Sequence, residues 1–357
     1  MDLNNNIKLT DEDLEGKLKN YCYEHCNNES SLEVKNCRGL VYRDEKPFLK
    51  SFGYTPTYTI DTLPKDINFE NCRFFESFEG TLLRLFYNDI NDRWYLSTHR
   101  KLDASNSFWG SQETFGSRFN NIIKKEDYNK LNKEYYYMFL ITPNKNNRIV
   151  CTENLNRIVH VGTYDKNFNL SYDYDVSISR PNEFIFNNFE EFKNTVESID
   201  IKSLQGIVIS NVKTQTNIKV LNKNYKNLSD IRGNTASIKF RYLELRRNKE
   251  KKNLLYTLYP DNIINFEEYE RILSNITNNI LKSYINRYIK HIYTSVSPEE
   301  YVIQKKCHEW HKQDKEKNKI TRNKVIEILN EQTPVHLNRL IKNYKQNNNK
   351  DKDNDNK

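Results

Sequence analysis

Glycine, proline, cysteine and long apolar runs are all scarce in this chain of 357 residues. With 9 Gly and 8 Pro, the sequence excludes a collagen-like or linker-rich architecture. Its 6 Cys are too few for a disulfide-dense fold, which predicts a reduced, intracellular protein. No apolar run reaches the length of a membrane span, and the N-terminus lacks the apolar core of a signal peptide. We therefore expect a soluble cytoplasmic protein without a membrane partner.

The cysteines do not predict a metal site. Cys22, His25, Cys26 and Cys37 come near a metal-ligand spacing, but Cys-x3-Cys followed by a single Cys is a poor zinc pattern. The expectation is that these thiols are buried or partly exposed and hold no metal.

Aromatic side chains replace part of the missing aliphatic volume. Hydrophobic residues make up only 36% of the chain, and the mean hydropathy is -0.89. These values alone would favour disorder. However, 24 Tyr and 18 Phe supply large apolar surfaces, so the sequence predicts a folded core.

Positive charge is concentrated in the last third of the chain. The net charge is +8. Residues 239–357 hold about 25 basic and about 16 acidic side chains, while the remainder is nearly neutral. A basic C-terminal part predicts a polyanion partner, with Arg246, Arg247, Lys251 and Lys252 as candidate nucleic-acid contacts. The alternative is a solvated, lysine-rich helical surface without a ligand.

The apolar periodicity divides the chain into four parts. Residues 1–34 are polar, with a short helix predicted near 9–18. Residues 35–235 contain mostly short strand-like runs, and residues 236–345 repeat apolar side chains at helical spacing. The low-complexity end, 346–357, is predicted to be a disordered tail.

Specific elements follow from local signals. A polar turn between residues 81–87 and 94–98 predicts a β-hairpin. A helix is expected over 189–199, capped by Asn187 or Asn188, and Ser297-Pro298 predicts the start of another.

Short motifs occur in a fixed order between residues 35 and 235. Each of them begins or ends a predicted strand: Arg38-Gly39-Leu40, Glu79-Gly80-Thr81, Pro143 with Asn147-Arg148-Ile149-Val150, Gln205-Gly206-Ile207, and Lys219 with Tyr225. No single motif is specific, but their order and spacing carry information.

This order resembles the phage-type RNA ligases of the covalent nucleotidyltransferase superfamily, and also ligase-like proteins of large DNA viruses. A codon bias toward Asn, Lys, Ile and Tyr is typical of such AT-rich genomes. The resemblance implies an α+β fold: a nucleotidyltransferase (ATP-grasp-like ligase) core of antiparallel sheets with flanking helices, then an all-helical C-terminal domain. It also implies ATP and Mg²⁺ as cofactors if the protein is active.

Four charged catalytic positions of that family are neutral here. Aligned on Gly80, the lysine that accepts the adenylyl group falls on Ser77, whose hydroxyl cannot form a phosphoramidate. The other three positions fall on Phe139, Gln205 and Leu221. The resemblance therefore implies a retained fold without the family's adenylation chemistry, and no catalytic residue is assigned.

Other positions of the family pattern are retained. Arg38, Gly80 and Lys219 stand where the family contacts nucleotide or phosphate. Glu79, Arg84 and Lys101 lie close enough in sequence to complete a phosphate-binding pocket. The alternative is surface charge on a two-stranded ribbon.

Lys101 is also the alternative nucleophile. Lys101-Leu102-Asp103-Ala104 has the Lys-x-Asp pattern, but alanine replaces the required glycine. This leaves open an active ligase or nucleotidyltransferase with relocated residues.

The function that this resemblance implies is that of a catalytically degenerate, RNA-ligase-like protein in viral nucleic-acid metabolism. It would bind nucleic acid, RNA rather than DNA, and act with protein partners in the host cytoplasm or virus factory, or packaged in the particle. A virion-assembly or interaction protein is the alternative from another class, since a fold does not determine function.

Overall fold

The computed structural model describes residues 4–355 except 66, 68 and 129. It contains two compact units, Met1–Asp230 and Ile231–Lys357, which we call the N-terminal and the C-terminal unit. The N-terminal unit combines antiparallel sheets with helices, and the C-terminal unit is helical. The predicted α+β class is thereby confirmed.

The chain begins with a four-stranded antiparallel sheet in the order β1-β2-β3-β4. Its strands, with one short helix between the second and the third, are β1 (Ile7–Glu12), β2 (Leu18–Tyr23), α1 (Leu32–Asn36), β3 (Arg38–Arg43) and β4 (Lys46–Leu49).

The helix predicted near residues 9–18 is wrong. The chain turns at Gly16, where φ is +69, and a carboxylate oxygen of Asp13 accepts the N–H of Leu18. Side chains of β2 then alternate between buried and half-buried, which is the period of a strand. The polar character of the segment reflects a hairpin with one exposed strand.

Two five-stranded sheets complete the N-terminal unit. Their orders are β11-β10-β9-β7-β8 and β12-β6-β13-β14-β5, and β5 and β14 pair in parallel. The strands are β5 (Thr57–Tyr58), β6 (Cys72–Ser77), β7 (Thr81–Asn88), β8 (Arg93–Ser97), β9 (Tyr136–Ile141), β10 (Ile158–Tyr164), β11 (Leu170–Ser171), β12 (Glu183–Phe184), β13 (Gly206–Asn211) and β14 (Thr216–Leu221). The predicted hairpin is confirmed as β7–β8.

Side chains along β7 alternate between two apolar layers, one on each face of the strand. Leu82 and Phe86 pack toward the N-terminal sheet, whereas Leu83 and Leu85 pack on the other face. Three helices flank the strands: α2 (Phe115–Ile122), α3 (Lys125–Tyr128) and α4 (Phe189–Ser198). Asn188 caps α4, as one of the two predicted caps, by accepting the N–H of Glu191.

The last seven helices begin with α5 (Lys223–Arg232), followed by α6 (Ile238–Leu245), α7 (Lys249–Leu258), α8 (Ile263–Tyr284), α9 (Pro298–Gln313), α10 (Arg322–Asn330) and α11 (Pro334–Asp355). Ser297 and Glu300 form a capping box at the predicted start of α9. The chain is helical as far as Asp355, although a tail is predicted from residue 346. No glycine or proline follows Pro334 to end that helix.

A buried arginine joins the N-terminal sheet to the β7–β8 hairpin. The guanidinium of Arg84 donates to the carbonyls of Gly39 and Thr98, to the side-chain oxygen of Asn20 and to the hydroxyl of Ser97. Its side chain is fully buried, and it has no carboxylate partner among the described residues. The hydrogen bonds therefore compensate its burial.

We predict that Arg84→Met lowers the free energy of unfolding by about 3 kcal/mol, because buried acceptors on three chain segments lose their donor. Urea unfolding followed by circular dichroism measures the change. Arg93→Met, on the exposed end of the same hairpin, is the matched control and should cost less than about 1 kcal/mol. Equal losses for both variants would show that the guanidinium does not hold the two sheets together.

Candidate functional site

A cleft of about 320 Å³ lies between strands of the two five-stranded sheets. Its walls are largely apolar and aromatic, formed by Phe52, Phe75, Phe78, Leu82, Leu140, Val161, Tyr172 and Val208. Polar and charged side chains reach it from β3, β6, β10 and β14. A concave apolar site with few polar groups is typical of a small-molecule pocket.

One part of the cleft carries two cations without a carboxylate partner. Arg38 makes a single long hydrogen bond, 3.4 Å from Nη1 to the carbonyl of Gly53. Nζ of Lys219 has no hydrogen-bond or ion-pair partner among the described residues. Burial, and then the neighbouring Arg38, lower the pKa of Lys219 to about 8, although the Glu79 carboxylate acts in the opposite direction. The pair is therefore arranged to receive an anion.

Two buried polar atoms in the cleft wall also lack partners among the described residues. They are the hydroxyl of Ser77 and Nδ1 of His160. Nε2 of His160 lies 2.8 Å from the hydroxyl of Thr163, and burial lowers the pKa of His160 to about 4. A neutral imidazole and a hydroxyl can each donate or accept, but both atoms are covered by the cleft wall, so a ligand reaches them only if the wall rearranges.

A compensated charge network closes another part of the cleft. Arg73 forms two hydrogen bonds with Asp173, at 2.8 and 2.9 Å, and two with Glu183, at 2.8 and 2.5 Å. Glu76 accepts the backbone N–H of Asn182 at 2.9 Å. The carboxylates that line the cleft are thus engaged by protein donors.

This donor set does not fit a protein-held magnesium ion. Such a site needs carboxylate oxygens directed at one point. Within the described part of the chain, no group of three or more His, Cys, Asp or Glu side chains could hold a metal.

Four of the residues singled out from the sequence meet in the cleft: Arg38, Ser77, Gly80 and Lys219. Gly80 is sterically required, since a Cβ there would lie 2.5 Å from the carbonyl oxygen of Ile141. Ser77 ends β6 in the cleft wall, with a buried hydroxyl. The motif order therefore brings together residues that are far apart in the chain.

The other three neutral positions do not line the cleft. Phe139 lies on the opposite face of β9, among the rings of Phe119 and Tyr137, and its neighbour Leu140 faces the cleft instead. The side-chain amide of Gln205 donates to the carbonyl of Phe78 at 2.6 Å. Leu221 is buried at the end of β14, beyond the cleft.

The sequence places Glu79, Arg84 and Lys101 in a phosphate-binding pocket. In the structure these three residues lie outside the cleft. Arg84 is the buried bridge described above. Lys101 pairs with Asp11 at 3.2 Å. The carboxylate of Glu79 is directed away, where it accepts backbone N–H groups from residues 149–151 and the hydroxyl of Tyr225 at 3.1 Å.

The sequence did not indicate His160, Arg73, Asp173 or Glu183. Arg73 and Asp173 are 100 residues apart in the chain, so their pairing follows from the sheet topology and not from local spacing. His160 stands in an apolar strand, where a histidine is more often a packed polar residue than a ligand.

The predicted nucleic-acid contacts of the C-terminal unit divide into two kinds. Arg246 forms a bidentate pair with Glu270, at 2.7 and 2.8 Å, and its side chain is 10% exposed. This pairing makes Arg246 a link between α6 and α8 and not a surface cation. Lys251 is exposed, and Lys252 lies over the ring of Tyr256.

Comparisons with known proteins found similar sequences in viruses and similar folds among ligases. No protein-family model matches the chain. In sequence it is similar to the "Immediate-early protein ICP-46 homolog" of Invertebrate iridescent virus 6, at 29% identity over 85% of this chain and 76% of that protein. The homolog of Invertebrate iridescent virus 3 is 28% identical over 76% of this chain and 63% of that protein. Large DNA viruses thus contain its relatives.

The fold is similar to that of ATP-dependent DNA and RNA ligases. A candidate ATP-dependent DNA ligase from Aquifex aeolicus has a TM-score of 0.45 at 12% identity, over 87% of this chain and 85% of that one. One form of an archaeal ATP-dependent RNA ligase has a TM-score of 0.42 at 11% identity, over 73% and 74% of the two chains. Among the residues that the structure describes, no helix combines the length and apolarity needed to span a bilayer.

We predict that Glu79→Gln lowers the free energy of unfolding by about 2 kcal/mol, because an amide places donors against the backbone N–H groups that the carboxylate accepts. Thermal and urea unfolding measure the loss. Glu190→Gln, at the exposed start of α4, is the control and should change stability by less than about 0.5 kcal/mol. An unfolding midpoint unaffected by Glu79→Gln would contradict the anchoring role.

Proposed function

We propose that this protein is a ligase-like nucleotide- and nucleic-acid-binding protein that does not adenylate itself. The supporting observation is the cleft, in which Lys219 and Arg38 pair with none of the carboxylates that the structure describes. By the resemblance, a serine, Ser77, stands where the family's lysine would be. The site is therefore suited to hold an anion and not to form a phosphoramidate with it.

The walls of the cleft support a nucleotide as the ligand. Cations at one part suit phosphate oxygens. Aromatic side chains such as Phe75 and Tyr172 offer surfaces for a planar base. ATP is the first nucleotide to test, because the resemblance implies it.

The alternative of a relocated nucleophile is less well supported. Lys101 lies outside the cleft and pairs with Asp11 at 3.2 Å. It would have to leave that carboxylate to reach a nucleotide held by Lys219.

Nucleic-acid binding is proposed for the C-terminal unit, in which residues 239–357 carry an excess of about nine basic side chains. Such an excess supports sequence-independent, salt-sensitive contacts with phosphates. RNA is favoured over DNA by the motif order alone. Action through protein partners, in the cytoplasm or virus factory of an infected cell, belongs to the same proposal.

For the cleft we predict that Lys219→Met weakens ATP binding by about tenfold or more, since a charge-assisted hydrogen bond is lost. In the unaltered protein, affinity should fall as the pH rises above about 8, because the amine then loses its proton. Isothermal titration calorimetry between neutral and alkaline pH measures both effects.

Lys219→Arg is the matched control, because arginine stays charged throughout this range. It should bind ATP with little dependence on pH. If Lys219→Met binds as tightly as the unaltered protein, ATP is not held in this cleft.

A second prediction concerns covalent chemistry. Incubation with ATP labelled at the α-phosphate and with Mg²⁺ or Mn²⁺, read on a denaturing gel, should give no labelled protein, because Ser77 cannot supply the amine. A known RNA ligase serves as the positive control. A labelled adduct that survives denaturation and maps by mass spectrometry to Lys101 or Lys219 would overturn the proposal that the protein does not adenylate itself. It would favour an active nucleotidyltransferase.

A further inference from the structure

The chain between α8 and α9 has an unusual local conformation. Helix α8 passes at Tyr284 into one π-helical turn, Ile285–Ile289, and the next residues up to Pro298 are irregular. His291 has a φ of +57, in the left-handed region. Single π turns are rare and frequently lie at functional sites. We call residues 287–293 the exposed segment.

The exposed segment presents large side chains to solvent. Tyr293 is 91% exposed, Ile289 is 64% exposed and Ile292 is 54% exposed. Nearby on α9, Val302 is 41% exposed. Single exposed apolar residues are ordinary, but a group of them within a short segment is typical of an interaction surface.

The charged side chains within the exposed segment are all basic. The sequence contains no Asp or Glu between residues 272 and 298. Arg287, Lys290 and His291 are exposed there, whereas α9 carries both the exposed Lys306 and the acidic Glu299, Glu300 and Glu309. Neither Arg287 nor Lys290 forms an ion pair with any carboxylate that the structure describes. A partner that complements this surface must therefore be anionic.

Planar groups are stacked beside the segment. The guanidinium of Arg287 lies 4.9 Å from the ring centre of Tyr301 and 5.7 Å from that of Tyr288. Tyr288 in turn stacks on His308 at 4.0 Å, with planes 19° apart. The surface thus combines exposed rings with fixed cations, which is the combination that holds unpaired bases and their phosphates.

A polar cavity of about 370 Å³ adjoins the segment in the chain. It is lined by Thr294, Ser295 and Ser297 from the chain after Tyr293, and by Asn286 and Lys282 from the preceding helical turns. Glu300 also lines it, and its carboxylate accepts the N–H of Ser297 in the capping box of α9. Besides that engaged carboxylate, the lining offers hydroxyls, amides and one cation. They suit a sugar–phosphate backbone better than an apolar partner.

We propose that the exposed segment binds single-stranded nucleic acid, with a base stacked on Tyr293 and phosphates contacted by Arg287 and Lys290. This inference rests on the proposed function and specifies which surface of the C-terminal unit carries it. Single strands are required because the bases of a duplex have no free face for a tyrosine ring. Arg246, which the sequence suggested, is held by Glu270 and is not part of this surface.

The test measures fluorescence anisotropy of labelled single-stranded RNA, single-stranded DNA and duplex RNA with the full chain. We expect the single strands to bind more tightly than the duplex. Tyr293→Ala should weaken single-strand binding about tenfold and leave the salt dependence unchanged, because stacking involves no counterion release. Tyr293→Trp should restore the affinity.

Lys290→Gln should instead lower the slope of log affinity against log salt by about 0.7, the value for one phosphate contact on a single strand. Two controls are exposed side chains that lie elsewhere: Phe108→Ala, at 64% exposure, and Lys342→Gln on α11. Both should bind as the unaltered protein does, and circular dichroism should show that every variant is folded.

Binding by the altered proteins distinguishes a wrong surface from an absence of nucleic-acid binding. If the unaltered protein binds single strands but Tyr293→Ala and Lys290→Gln bind equally well, the surface is wrong while nucleic-acid binding stands. Tighter binding to duplex would also reject the stacking surface. If no oligonucleotide binds at low salt, whereas vesicles of anionic lipid or an acidic peptide do, both proposals fail.

Discussion

The buried guanidinium of Arg84 is the interaction on which the cleft depends. Its acceptor on β3 is the carbonyl of Gly39, the residue after Arg38. A Cβ at Gly39 would lie 2.6 Å from Nη1 of Arg84 and 2.8 Å from the Cα of His99, and φ at this position is +77. Only glycine lets the strand pass so close in this conformation. The Arg-Gly pair therefore positions the Arg38 side chain by fixing the backbone that follows it.

A second buried charge stabilises the other side of the cleft by a different means. Glu79 is satisfied by three successive backbone N–H groups and a tyrosine hydroxyl, and the described cations form no ion pair with it. Its neighbour Gly80 lies against the end of β9. Both buried charges are thus compensated by dipoles of the fold, and the cations of the cleft, Arg38 and Lys219, remain available to a ligand.

Local patterns predicted elements whose signals lie within one segment, such as the β7–β8 hairpin and the cap of α4 at Asn188. Motif order also grouped Arg38, Gly80 and Lys219, which do meet in the cleft. Motif order failed where a shift of one residue along a strand moves a side chain to the opposite face of the sheet. On β9, Leu140 lines the cleft and Phe139 does not. It failed again where pairing is long-range, as for Arg73 with Asp173 and Arg246 with Glu270, because sequence spacing carries no information on such contacts.

The state of Lys219 links stability to function. Its pKa is lowered from 10.5 to about 8, so the folded protein holds this proton less tightly than the unfolded chain does. Stability contributed at this site therefore increases as the pH rises from about 8 towards 10.5, and at neutral pH the charged amine is a cost to folding. A bound phosphate would remove that cost by supplying the missing counter-charge. A half-buried cation that opposes folding until an anion neutralises it supports the ligand-binding role proposed for Lys219.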